Sequence, residues 1–239
     1  MAQFAEQATE AMANTPVIHV IDDDASMREA LCRLLVASGF EVRQYASAGD
    51  FLLSPPGDSP ACLLLDIRMP GPSGMDLQRA LAQRADAPPV VFLTGYGDIA
   101  MSVLAIKRGA VDFLTKPVER EALIAAVRLA LERDMARRED DRRQYDLQRD
   151  FGTLTPRERQ VFSQVAVGKL NKQIAASLNT CERTVKAHRA HVMEKLHARS
   201  VAQLVHIALE LESATGALPT TEQLASRHAP ERVGVVARR

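Results

Sequence analysis

Cysteine is scarce in this chain of 239 residues, neither sign of charge is in excess, and no apolar run approaches membrane-spanning length. Each shortage closes a class of function. The three cysteines, Cys32, Cys62 and Cys181, are scattered without the pair spacing of a zinc site, and the first two fall in apolar helix and strand patterns where small buried thiols are common. Acidic and basic residues are equal in number at 30 each, as in an ordinary globular protein, and without about 20 consecutive apolar residues there is no candidate helix for a bilayer. Residues 1–15 are alanine-rich and carry Glu6 and Glu10, with neither the basic start nor the apolar stretch of a secretory signal, so a disordered N-terminal extension is expected there. A reducing cytoplasm is the expected compartment, with no membrane partner.

The length suggests two domains, each able to bury its own core. Charge is uneven between them. Residues 16–118 hold 9 basic against 12 acidic groups, whereas residues 151–215 hold 9 against 5, an acidic front and a basic back. The front alternates strand and helix. Short apolar runs at 17–21, 41–45, 61–66, 90–94 and 111–114 read as strands, separated by patterns of helical period. The first helix, near 26–38, carries Ala30, Leu31, Leu34 and Leu35 as its apolar stripe, with Gly39 as a left-handed stop, and Gly109 plays the same part before the last strand. Such alternation predicts a flavodoxin-like (βα)5 domain: a five-stranded parallel sheet, covered on both faces, with its ligand crevice at the carboxyl ends of the strands.

Polar groups stand at those ends. Asp22 and Asp23 follow the first strand, Asp66 the third, Thr94 ends the fourth, and Lys116 lies three residues beyond Phe113. Three carboxylates, a hydroxyl and an ammonium in one crevice suit a divalent cation and a phosphoryl group. Asp22, Asp23 and Asp66 can supply oxygens to Mg²⁺, which takes a few carboxylates and keeps several waters. An Asp66 oxygen can then attack phosphorus, while the cation and Lys116 neutralise the non-bridging oxygens and Thr94 offers its hydroxyl to the acyl phosphate. Asp24 reads as a cap of the first helix and Asp98 as the start of the helix after the fourth strand. Taken singly, Asp23, Thr94 and Lys116 are ordinary as a helix-terminal acid, a turn residue and a surface charge; it is their order along the chain that singles them out. A rival reading makes Asp22 the nucleophile of a magnesium-dependent phosphatase built on Asp22-Asp23-Asp24, but it leaves Asp66 unexplained.

Beyond Pro117 one long helix is expected to about Arg149, apolar along Leu123, Val127, Ala130 and Leu131, then solvated after Met135, where Arg138 and Arg142 occupy the positions that would continue a seam. A solvated connecting helix is preferred to a dimerising coiled coil. The back half contains only short helices. Thr155 and Glu158 form a capping box with Pro156 at the first helical position, and Gly168 ends that helix. Asn171 is expected to cap a second helix, and a turn through Asn179 and Thr180 leads to a third, at about 182–197: a helix-turn-helix. On the third helix Val185, Val192 and Leu196 share one face. Arg183, Ala187, Ala190 and Glu194 take the other, flanked by Lys186 and His191. Small and basic residues let a helix enter the major groove, with Arg183, Thr184, Lys186, Ala187, Ala190 and His191 as its candidate contacts and Lys172 clamping the backbone from the preceding helix. His188 and His191 lack the further ligands of a metal site.

The stretches VIDDDAS, LLLDIRMPGPSG, FLTGYGD and GAVDFLTKP, in this order, resemble the receiver domain of two-component response regulators. LTPRERQVFSQVAVGKLNKQIAASLNTCERTVKAHRAHVMEKLHARS is similar to LuxR-type output domains, so the whole resembles the NarL/FixJ group and its FixJ-like members. The resemblance implies that Asp66 is the phospho-acceptor and that Asp22, Asp23 and the Arg68 backbone carbonyl hold Mg²⁺. It also implies that Lys116 contacts the phosphoryl group, that Phe113 is a switch aromatic coupled to Thr94, that Lys116-Pro117 is cis, and that residues 201–211 form a dimer surface. Arg68 and Tyr96 stand where water access is influenced. The partners implied are a sensor histidine kinase, promoter DNA, RNA polymerase and a second copy of the chain on phosphorylation; an enzyme acting on other molecules is not implied. An RNA- or protein-binding output is the alternative for the back half. Cys181 departs from the family's Ser or Thr at the recognition-helix cap, leaving Thr180 as a substitute. The expected domains are 1–15 extension, 16–119 receiver, 120–150 helical linker, 151–213 helix-turn-helix and 214–239 a flexible tail.

Overall fold

The computed structural model describes residues 15–54, 57–95 and 99–215; residues 1–14 of the expected extension and 216–239 of the expected tail, along with Tyr96 and Asp98, lie outside them, while residues 214 and 215, expected in the tail, close the last helix. The chain divides into two compact units between Glu139 and Asp140. Five strands build the first unit: β1 Val17–Ile21, β2 Glu41–Tyr45, β3 Ala61–Asp66, β4 Val90–Thr94 and β5 Asp112–Thr115. All neighbours run parallel in the order β2-β1-β3-β4-β5, the doubly wound arrangement expected. β1, β3 and β4 are buried along their whole length, which is why they read as unbroken apolar runs and not as alternating ones. β2, at one edge, is mostly exposed. The last strand begins at Asp112, one residue later than its apolar pattern suggests, although the Val111 N–H already bonds the Val90 carbonyl at 2.8 Å.

Helices α1 (Ala25–Ala37), α2 (Ala48–Leu53), α3 (Gly74–Leu81) and α4 (Ile99–Lys107) alternate with the strands, and α5 (Arg120–Gly152) follows. Gly39 and Gly109 adopt φ of +89° and +91°, the left-handed stops expected of them. Period-two alternation on the central strands splits the core. Ile18, Val20, Cys62, Leu64, Val91 and Leu93 meet Leu31 and Leu35 of α1 and Leu123, Val127 and Ala130 of α5, while Ile21, Leu63, Leu65 and Phe92 meet Phe51, Leu77, Leu81 and Ala105 on the opposite face. Of the predicted α1 stripe, Ala30 is exposed instead; it stands at the margin of the face that Leu31 and Leu35 bury.

The solvated stretch of α5 begins later than its composition suggests. Asp134 is fully buried and accepts three hydrogen bonds: from the Ala61 N–H at the start of β3 at 2.9 Å, and from Arg137 and Arg138 at 2.6 Å each. The two guanidiniums also bond the carbonyls of Ala85 and Asp58. Only from Glu139 to Tyr145 is every residue exposed.

The second unit contains α6 (Pro156–Ala166), α7 (Asn171–Ser177), α8 (Glu182–Lys195) and α9 (Val201–Thr215). Val161, Phe162, Ile174, Val185, Val192, Leu196 and Leu204 form its core, with Phe151 packed edge-on against Phe162. The predicted box at Thr155 and Glu158 caps α6, with Pro156 at its first position, and Gly168 follows it at φ +80°. Asn171 does not cap α7: Leu170 takes that place, its N–H donating to the Gln173 side-chain oxygen, and the Asn171 side-chain amide oxygen Oδ1 accepts from Arg189 of α8 at 3.2 Å. α8 ends at Lys195, two residues short of expectation, with His197 left-handed just beyond it.

Candidate functional site

The carboxyl edge of the sheet gathers the acids because β1 and β3 are adjacent and run in register, so that the residues following Ile21 and Leu65 emerge side by side. Carboxylate oxygens of Asp22, Asp23 and Asp66 all lie within 4.8 Å of one another. Asp22 is fully buried and Asp66 nearly so, while Asp23 faces solvent. The Lys116 ammonium, delivered from the loop after β5, lies 2.7 Å from Asp22 Oδ2 and 3.1 Å from Asp66 Oδ2. The peptide bond from Lys116 to Pro117 is cis. Thr94, buried, stands one residue beyond the register partner of Asp66 on β4, and its carbonyl accepts the Lys116 N–H at 2.6 Å. Phe113, half-buried, packs against the second core cluster, in register with Phe92.

The two buried carboxylates differ in what they can offer. Asp22 has both oxygens engaged, Oδ1 by the Asp24 N–H at 2.9 Å and Oδ2 by Lys116, which leaves it poorly placed as the nucleophile of a phosphatase. Asp66 keeps more freedom, with a long 3.5 Å bond from the Arg68 N–H as its one partner besides Lys116 among the described residues. Burial raises the Asp66 pKa above the usual carboxylate range, the Lys116 charge and hydrogen bond oppose it, and Asp22 adds to it. Burial acts to lower the pKa of Lys116, but the hydrogen bond to Asp22 and the charge of Asp66 outweigh it and hold the ammonium above the ordinary lysine value. Asp24 caps α1 as expected, accepting from the N–H groups of Ser26 and Met27.

The donor set suits a hard divalent cation: oxygens only, from carboxylates whose mutual repulsion a cation relieves. Two contributors escaped the sequence reading. Arg28 bonds the Asp22 carbonyl at 2.6 Å, its only sequence signal being its place one turn into α1. Gly74 starts α3 beneath the acid, where a Cβ would fall 2.2 Å from the Asp66 carbonyl oxygen. The glycine stood in plain view in LLLDIRMPGPSG, yet nothing there separates it from Gly71, which meets nothing within 4 Å and whose φ of +81° marks a turn.

In the second unit the candidate contacts, Thr184 apart, are open to solvent. Lys172, Arg183, Lys186, Ala187, Ala190 and His191 are exposed on α7 and α8, and Val185, Val192 and Leu196 are buried beneath. Thr184 is half-buried with its hydroxyl 3.2 Å from the Cys181 thiol. Cys181, not Thr180, occupies the cap position of α8 without bonding a backbone N–H through its side chain. Lys195, one turn beyond His191, is neutralised: it bonds Glu158 Oε2 at 2.7 Å, and His191 lies 3.7 Å from the other oxygen. This clasp between α6 and α8 was not foreseen, since Glu158 already had a role in the capping box.

Residues 18–128 match the response regulator receiver domain family, and residues 152–208 the luxR family of bacterial regulatory proteins. The chain is 47% identical over 192 residues to nodulation protein W of Bradyrhizobium diazoefficiens, spanning 80% of this chain and 85% of that one. It is 41% identical over 192 residues to the transcriptional regulatory protein FixJ of Rhizobium meliloti, spanning 80% and 94%. Among solved structures, the response regulator StyR superposes with a TM-score of 0.74 at 44% identity, over 82% of this chain and 99% of that one.

Proposed function

The chain belongs to the two-component response regulators that join a receiver domain to a LuxR-type DNA-binding domain, and from that premise we propose that Asp66 is its phosphoryl acceptor. It is a phosphorylation-dependent DNA-binding regulator of transcription, a class that implies a sensor kinase as partner. One observation carries the assignment: two buried carboxylates and one exposed carboxylate meet a lysine at the carboxyl edge of the parallel sheet, and Asp66 is the least encumbered of the buried pair. An Asp66 oxygen attacks the phosphorus of a phosphohistidine on the kinase. The P–N bond breaks, the imidazole nitrogen keeps the electron pair, and an acyl phosphate remains on Asp66. Lys116 shifts toward the added charge, and the Thr94 hydroxyl donates to a phosphoryl oxygen. Asp22, Asp23, Asp66 and the Arg68 carbonyl would hold Mg²⁺, which when bound would supply further counter-charge to the phosphoryl oxygens. Water later attacks phosphorus, the P–O bond to Asp66 breaks, inorganic phosphate leaves and the carboxylate is restored, so the chain turns over its own modification alone.

Movement of Thr94 draws Phe113 inward and alters the face carrying Val103, Ile106 and Asp112, of which the two aliphatic side chains are about half exposed. Pairing of two copies then sets two α8 helices on two half-sites. Arg183, Thr184, Lys186, Ala187, Ala190 and His191 meet bases and phosphates, Lys172 holds the backbone, and the bound dimer engages RNA polymerase in the cytoplasm. Receiver 16–119, linker 120–150 and helix-turn-helix 151–213 are the functional divisions, flanked by the extension 1–15 and the tail 214–239. The test is operator binding with and without acetyl phosphate. Tightening in the wild type, lost in Asp66→Asn, is expected; the same affinity under all conditions, or radiolabel trapped on Asp22, refutes the assignment. Arg183→Ala with Lys186→Ala abolishes operator binding while Asp66 still takes up phosphate. Binding that competitor RNA removes favours an RNA output.

A further inference from the structure

Helix α8 begins on a weak cap. Cys181 stands at that position and bonds no backbone N–H through its side chain, a thiol being a poor acceptor beside a hydroxyl or carboxylate. The turn ahead of it closes α7 with two backbone bonds, from the Thr180 N–H to the Ala175 carbonyl at 3.0 Å and from the Asn179 N–H to the Ala176 carbonyl at 3.4 Å, a Schellman pair. Asn179 takes the left-handed place usual for glycine, with φ of +48°. This pattern leaves the carbonyl of Leu178, half-buried at the end of α7, with no backbone donor among the described residues.

Arg157 of α6 supplies the donor. Its Nη2 donates to the Leu178 carbonyl at 2.5 Å, while its Nη1 donates to Gln160 Oε1 at 3.0 Å, three residues along its own helix. The half-buried guanidinium is thus held on both arms of a planar fork, so its direction is fixed. The other side-chain bonds that tether α8 grip it farther along, from Asn171 to Arg189 at 3.2 Å and from Glu158 to Lys195 at 2.7 Å. Among the described residues, no side chain of α6 or α9 other than Arg157 bonds the turn from Leu178 to Cys181.

We propose that Arg157 is a positioning residue for operator recognition: by holding the Leu178 carbonyl it fixes the turn that aims the first turn of α8, where Arg183 and Thr184 stand, and so stands in for the weak cap at Cys181. The proposal rests on the reading of α8 as the helix that meets the operator. Arg157 acts through those residues and makes no phosphate contact of its own, both arms of its guanidinium being engaged by protein oxygens. Its effect therefore falls on sequence discrimination, not on the general attraction for DNA.

The test compares operator with random-sequence DNA as ligands of the full-length protein and its Arg157→Met variant. The ratio of the two affinities is expected to fall roughly fivefold, the size of a lost helix cap, whereas removal of a phosphate contact weakens both alike. Cys181→Ser gives α8 a side-chain cap and is expected to restore most of the ratio in Arg157→Met while changing the wild type little. Amide exchange is expected to quicken at Thr184 and Val185, whose N–H groups bond the Cys181 carbonyl at 3.0 and 3.2 Å, with α6 still protected. An unchanged ratio, equal losses on both DNAs, a Cys181→Ser gain of the same size in both backgrounds, or loss of protection throughout α6 overturns the proposal. Arg183→Ala with Lys186→Ala separates the two readings: if operator binding survives that pair, the reading of α8 fails and the proposal with it, and if it is lost there while Arg157→Met keeps its ratio, the positioning role alone fails.

Discussion

Replacing Asp134 tests whether a single carboxylate joins the long helix to the receiver. It is fully buried on α5 and accepts from the Ala61 N–H and from two arginines. In Asp134→Ala the arginines have an escape, because their side chains remain 29% and 25% exposed and keep their bonds to Ala85 and Asp58. The Ala61 N–H has none: it starts a buried strand. Stranding it costs about 1–3 kcal/mol, and breaking a buried ion pair from one side costs about 3–5 kcal/mol, reduced here by the access of the arginines to water. A loss near 3 kcal/mol is expected, with Asp134→Asn falling between, since its amide oxygen can still accept from Ala61. Urea unfolding of the full-length protein reads the loss as a lower midpoint at an unchanged slope, and amide exchange reads it at Ala61 itself. A cost below about 1 kcal/mol with Ala61 still protected from exchange would show that the carboxylate is incidental, contrary to the stranding argument.

Gly74→Ala forces a Cβ onto the Asp66 carbonyl oxygen, a 2.2 Å approach to backbone; thermal unfolding is expected to show a loss of about 1–3 kcal/mol or more, together with weaker Mg²⁺ binding. Glu158, held by Lys195 and then by Thr155, has its pKa lowered from 4.5 to about 2. Its carboxylate therefore stabilises the second unit fully above the unfolded value, and that contribution drains away as pH falls from about 4.5 toward 2; Glu158→Gln is expected to flatten this part of a stability profile followed by circular dichroism. His19, buried between Tyr45 and Phe51, has its pKa lowered from 6.5 to about 4, by burial first and by Arg43 second. Because the folded state resists protonation, stability is lost as pH falls from 6.5 toward 4, and an NMR titration is expected to find the ring neutral until near the lower value.

Strands were the most legible part of the chain. β1, β3 and β4 are buried on both faces, so composition alone announces them, and the parallel topology follows from the helices between. With the topology comes the acid cluster, because residues at strand ends need no side-chain detail to be placed at one edge. What depends on a distant partner was not legible. Asp134 sits in a run of charges and is buried only because Ala61, 73 residues away, presents an N–H to it. Asn171 has the chemistry of a cap, but Arg189 claims its oxygen once α8 packs alongside. Gln78 gave no signal at all, being a polar residue whose burial is decided by the carbonyls at the end of α4.

The clasp of Lys195 by Glu158 bears on how the second unit meets a polyanion. With that ammonium neutralised at the C-terminal end of α8 and Arg189 half-buried against Asn171, the fully exposed cationic side chains of the helix are Arg183 and Lys186, close to the N-terminus where the peptide dipole is itself positive. Attraction is thus lopsided along the helix axis and orients it before any base is touched. So few available cations displace few counterions from a duplex.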